Sequence, residues 1–126
     1  MMTIKEQLKR FGSLVRDRRK EMGITLHDLA SQADISYNYI SELERGKKVP
    51  SDEFVDKLAH FLEIPGEALF STLGRTPVTV RKEYAQSNNL RSLLSEIMAN
   101  DELTREEKDQ IYLKMLELYK DLSAKE

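Results

Sequence analysis

Tyr37, Asn38, Ser41, Glu42 and Arg45 form the one cluster of side chains in this sequence suited to recognition of a ligand by polar and aromatic contacts. Their spacing puts them on the outer face of one helix predicted over 37–45, opposite Ile40 and Leu43. Asn can pair bidentately with adenine, Glu can accept from the cytosine amino group, and an aromatic ring or Ser can meet a thymine methyl or a phosphate. Asn and Ser are poor helix formers, so a face needed only for solvation would be built more readily from Lys or Gln. For Tyr37, packing against the neighbouring backbone competes with base contact. Tyr39 is divided between covering a neighbouring helix edge and touching phosphate.

The segment that must position this face is GITLHDLASQADISYNYISELERGKKVP, residues 23–50. Gly23 closes the preceding helix, and Thr25 caps the next one with Asp28 in a capping-box arrangement. That helix is predicted over 26–32, where Leu26, Leu29, Ala30 and Ala33 recur at spacings of three and four and mark one face for burial. Ala30 is small enough for a second helix to cross close by. Asp34 tolerates a left-handed conformation, Ile35 plugs the turn and Ser36 caps the helix over 37–45. Gly46 ends that helix, with Arg45, Lys47 and Lys48 gathered at its end. The pattern is two short helices held at an angle by a tight turn.

The flanking sequence predicts a five-helix bundle. A first helix over 4–22 carries Leu8, Phe11, Leu14, Val15 and Met22 on its inner stripe. Pro50 and Ser51 open a fourth helix, with Asp52 and Glu53 at its positive end and Phe54, Leu58, Ala59, Phe61 and Leu62 as core. Pro65 starts a fifth, through Ala68, Leu69 and Phe70. Gly74 and Pro77 then break the periodicity, and Val78–Val80 is expected to be extended; residues 84–87 fit either state. Asn89 is the expected cap of a helix with the stripe Leu90, Leu93, Leu94, Ile97 and Met98. Thr104 and Glu107 form a capping box opening a last helix to about residue 123. The expected organisation is a domain over 1–73, a linker over 74–88 and a helical hairpin over 89–126. The hairpin's stripe, Leu94, Ile97, Ile111, Met115, Leu118 and Leu122, is too broad for two helices to bury alone. It must be covered by the N-terminal domain or by a second subunit, and a two-fold dimer suits a recognition helix that reaches only a few base pairs.

From Arg18 to Ser51 the sequence RRKEMGITLHDLASQADISYNYISELERGKKVPS resembles the Cro/C1-type helix-turn-helix family, also called the xenobiotic response element family. The likeness rests on the Gly-x-Thr entry, the Leu-Ala pair, the Ile-Ser turn and the run Ile-Ser-x-Leu-Glu-x-Gly-Lys, and it extends over roughly residues 5–71. It implies an all-α fold, a five-helix lambda-repressor-like DNA-binding domain, here followed by the C-terminal helical hairpin. It also implies base reading by Ser36, Tyr37, Asn38, Ser41 and Glu42, and phosphate contacts from Thr25, His27, Arg45, Lys47 and Lys48. Arg19 and Glu44 match a structural ion pair of the family. The partners so implied are double-stranded DNA and a second copy of the chain, on an inverted-repeat operator. The layout is similar to that of Sin-type repressors, whose hairpin self-associates and binds an antagonist, so an antagonist protein at the hairpin is the further partner to consider.

Composition limits the alternatives. Among 126 residues, 20 Lys and Arg face 22 Asp and Glu, a net charge of -2. The basic residues Arg16, Arg18, Arg19, Lys20, Arg45, Lys47 and Lys48 lie in or beside the motif, and local potential governs DNA binding, so the near-neutral total implies only modest non-specific affinity. With no Cys, and His27 and His60 as the sole histidines, no metal site and no cofactor is expected. A cytoplasmic location follows, since no apolar run suits a membrane span or a signal core. The chain also lacks paired carboxylates, a nucleophile–base set and a Gly-rich phosphate loop, so it reads as a regulator and not an enzyme. The competing class is a protein-interaction module, such as an antitoxin or a regulator of another repressor.

Overall fold

A computed structural model of the chain describes residues 2–124, and every regular element among them is helical. In order these are α1 (Ile4–Glu21), α2 (Leu26–Gln32), α3 (Tyr37–Glu44), α4 (Asp52–Leu62), α5 (Gly66–Thr72), α6 (Val78–Gln86), α7 (Asn88–Ala99) and α8 (Arg105–Ala124). The chain divides into two compact units, 1–81 and 82–126.

In the first unit the starts of α1 to α4 are each fixed by a short polar side chain. Thr3 and Glu6 form a capping box on α1, Thr25 and Asp28 form one on α2, and Ser36 and Ser51 cap α3 and α4 by accepting from the backbone N–H of Tyr39 and Phe54. The turns use left-handed residues where the sequence places them: Gly23 at φ 71° and Asp34 at φ 56°. The core they enclose is Phe11 and Val15 of α1, Leu29 and Ala30 of α2, Ile40 and Leu43 of α3, and matching faces of α4 and α5. Such continuous burial of aliphatic and aromatic side chains is the main term holding the five helices together, since α2, α3 and α5, of seven or eight residues, are marginal alone.

Several local expectations need correction. Val78–Val80 is the first turn of α6, not an extended segment. Pro77 supplies a backbone carbonyl that accepts from Arg81 N–H at 3.1 Å, and Arg81 reaches back to Asp52 at 2.6 Å, so local and tertiary bonds outweigh the weak β preference of valine. Residues 84–86, left open above, continue that helix. The cap of α7 is Ser87, whose Oγ accepts from Leu90 N–H at 3.1 Å; Asn89 lies inside the helix. Pro65 takes the N-cap position, and α5 proper starts at Gly66. In α4, Val55 and not Phe54 or Phe61 is buried with Leu58, Ala59 and Leu62, because 55, 58, 59 and 62 complete one helical stripe. Phe54 is half-buried and meets Tyr39 edge-on, centroids 5.4 Å apart, so Tyr39 packs against α4.

The second unit holds α7 and α8, joined by the turn over 100–104. Asn100 Oδ1 accepts from Glu102 N–H at 3.0 Å, and Thr104 and Glu107 exchange the two bonds of a capping box, at 3.0 and 3.1 Å.

Candidate nucleic-acid interface

The outer face of α3 is built from behind by two close contacts with α1. The first is Gly12, buried in the middle of α1, where an added Cβ would lie 2.4 Å from the Glu44 carbonyl oxygen and 2.6 Å from that of Leu43. Only glycine lets the α1 backbone approach the last turn of α3 this closely. The second is the pair Arg19–Glu44. Arg19 Nε and Nη2 donate to the two Glu44 carboxylate oxygens at 2.7 and 3.1 Å, and Nη1 donates to the Ile24 carbonyl at 3.0 Å. Their side chains are 12% and 6% exposed. The hydrogen bond to Glu44 raises the Arg19 pKa against the opposing effect of burial, so the guanidinium stays charged. One fork thus ties α1, the turn before α2 and the end of α3.

On the exposed side the proposed base-reading residues lie together at the start and middle of α3. Ser36 is committed through its Oγ to the cap. Tyr37 is 42% exposed and Asn38 is exposed, with no side-chain hydrogen bond to either among the described residues. Ser41 and Glu42 follow one turn on, half-buried. Glu42 is 3.6 Å from Lys48 Nζ, so these two side chains are paired to each other.

The residues assigned to phosphate form two groups. Arg45, Lys47 and Lys48 are exposed at the end of α3, and Arg45 Nε bonds back to the Ser41 carbonyl at 3.3 Å. At the start of α2, Thr25 is occupied as a cap: it exchanges hydrogen bonds of 2.9 and 3.1 Å with Asp28. The bond from the Thr25 backbone N–H, then that with its hydroxyl, hold the Asp28 carboxyl below the usual carboxylate range. His27 stacks on Tyr37, with ring centroids 4.2 Å apart and planes at 24°. Two residues assigned separately, one to phosphate and one to bases, are therefore one structural feature. Sequence reasoning had no signal for that stack, nor for Gly12, which looks like a mid-helix weakness until the α1–α3 crossing is known.

The stripe assigned to self-association is unevenly covered. Ile97 is buried, Leu94, Ile111 and Met115 are half-buried, and Leu118 and Leu122 are 58% and 56% exposed. Leu113, Leu116 and Tyr119 of α8 are exposed as well. No helix among the described residues is long and apolar enough to cross a membrane, and no group of His, Cys, Asp or Glu among them could hold a metal.

Residues 15–69 match the helix-turn-helix family HTH_3. The chain is similar to the transcriptional regulator ClgR of Mycobacterium tuberculosis, 37% identical over 54 residues that make up 43% of this chain and 48% of that protein. It is similar also to the HTH-type transcriptional repressor RghR of Bacillus subtilis, 37% identical over 68 residues, 53% of this chain and 50% of that one. The chain thus spans about half the length of these relatives. Among solved structures, the SinR–SinI complex gives a TM-score of 0.48 at 21% identity, covering 88% of this chain and 98% of that one.

Proposed function

Starting from residues 15–69 as a helix-turn-helix domain of the Cro/C1 type, we propose that the protein is a dimeric transcriptional repressor that lays α3 in the major groove of an inverted-repeat operator. The observation that carries this reading is the outer face of α3: exposed Tyr37 and Asn38 and half-buried Ser41 and Glu42 share one face of a helix clamped from behind, with exposed Arg45, Lys47 and Lys48 beside them. The cations fix position on the backbone, and the polar face selects sequence. Repression follows if the operator overlaps a promoter, where bound protein excludes polymerase. Selection of bound sequences from random duplex DNA tests the reading. An inverted repeat is the expected product, and absence of any enriched sequence contradicts it.

A second copy meeting α8 is supported by its exposed Leu113, Leu116, Leu118, Tyr119 and Leu122, more apolar surface than a solvated helix needs. Leu118→Asp should give monomers in sedimentation and weaken binding to the inverted repeat by about 100-fold or more, since the second half-site is no longer tethered to the first. Intact dimers would place the interface elsewhere. A protein-interaction module with a partner-shaped C-terminus is less well supported, because α8 opens on a complete capping box of its own. An antagonist that competes for the same α8 surface is compatible with the repressor reading.

A further inference from the structure

We infer that His27 is a positioning residue that holds Tyr37 as an apolar reader of a thymine methyl in the major groove. The inference rests on the DNA-binding reading above and adds to it a base and a mechanism.

The geometry is specific. Tyr37 is the first residue of α3 and His27 the second of α2, so their stack joins the starts of the two helices across the turn. Each helix start is independently immobilised, α2 by the Thr25–Asp28 box and α3 by the Ser36 cap, so the ring-to-ring contact sets a side-chain orientation and not a helix position. With centroids at 4.2 Å and planes at 24°, the imidazole stacks on one face of the phenol ring. Tyr37 nevertheless stays 42% exposed, so surface that His27 does not cover is available to a ligand. An exposed tyrosine without such a neighbour samples several rotamers and must be ordered on binding; the stack orders it beforehand.

What the exposed surface of Tyr37 can read follows from the groove. Base edges there present hydrogen-bond donors and acceptors and one apolar group, the C5 methyl of thymine. Asn38 and Ser41, beside Tyr37, serve the polar positions. The aromatic face is suited to the methyl. His27 then acts through Tyr37, and its substitution should change which base is preferred, whereas a residue that only neutralises phosphate would change affinity on every sequence alike.

The test uses the full chain and its selected site, with each thymine replaced singly by deoxyuridine, which removes the methyl and nothing else. For the unsubstituted protein, one thymine per half-site should lose about threefold to tenfold in affinity on replacement. Tyr37→Ala should abolish that discrimination, His27→Ala should reduce it toward onefold, and His27→Phe, which can still stack, should restore it. Circular dichroism confirms that each variant is folded, as expected for two exposed side chains. Uniform tolerance of deoxyuridine, or discrimination by His27→Ala equal to that of the original protein, overturns the inference while leaving sequence-specific binding in place. Failure to select any site removes the DNA-binding reading and the inference with it.

Discussion

Arg19→Met is expected to lower the unfolding free energy by about 3–5 kcal/mol, a large share of the 5–15 kcal/mol typical of a small domain. The substitution removes both guanidinium bonds to Glu44 and the bond to the Ile24 carbonyl, and leaves a carboxylate in a site where its side chain is 6% exposed. Most of the loss comes from that stranded charge and not from the attraction of the intact pair. Arg19→Met combined with Glu44→Leu should therefore recover much of the stability, since replacing both partners by apolar groups removes the penalty. Denaturant titration of the two variants measures this directly. A double variant no more stable than Arg19→Met would mean that the pair itself, through its geometry, holds the end of α3 in place.

Gly12→Ala should also destabilise the domain, by about 1–3 kcal/mol, although alanine is the better helix former by about 1 kcal/mol. The added Cβ would lie 2.4–2.7 Å from the backbone of Leu43 and Glu44, atoms that cannot rotate out of the way. The two helices must part, and the parting falls on the residue that Arg19 grips. Each kcal/mol lost should lower Tm by about 4–8 °C for a domain of this size. A raised Tm would show that the α1–α3 crossing relaxes without strain.

What the sequence discloses about this fold is what is local. Thr25, Ser36 and Ser51 announce helix starts because capping is a contact within three residues, and Asp34 announces the turn because few residues other than glycine take a left-handed backbone. The α1, α2 and α3 stripes are legible for the same reason. The residues that escape are those whose meaning depends on a partner far along the chain. Gly12 is explained by Leu43 and Glu44, Tyr39 by Phe54, and the helical state of Val78–Val80 in part by Asp52. The candidate site divides in the same way. The polar face of α3 and the cations after it follow from spacing, whereas the His27–Tyr37 stack and the Glu42–Lys48 pair depend on how α2, α3 and the following loop cross.

The most direct measurement is the affinity of Asn38→Ala for the selected operator and for an unrelated duplex at one salt concentration. Asn38 is exposed, follows Tyr37 at the start of α3 and has no side-chain hydrogen bond among the described residues, so its removal should leave the fold intact. If α3 reads bases, binding to the operator weakens by about 1–3 kcal/mol while binding to the unrelated duplex barely changes. Equal losses on both duplexes, or no loss on either, would contradict sequence reading by this face.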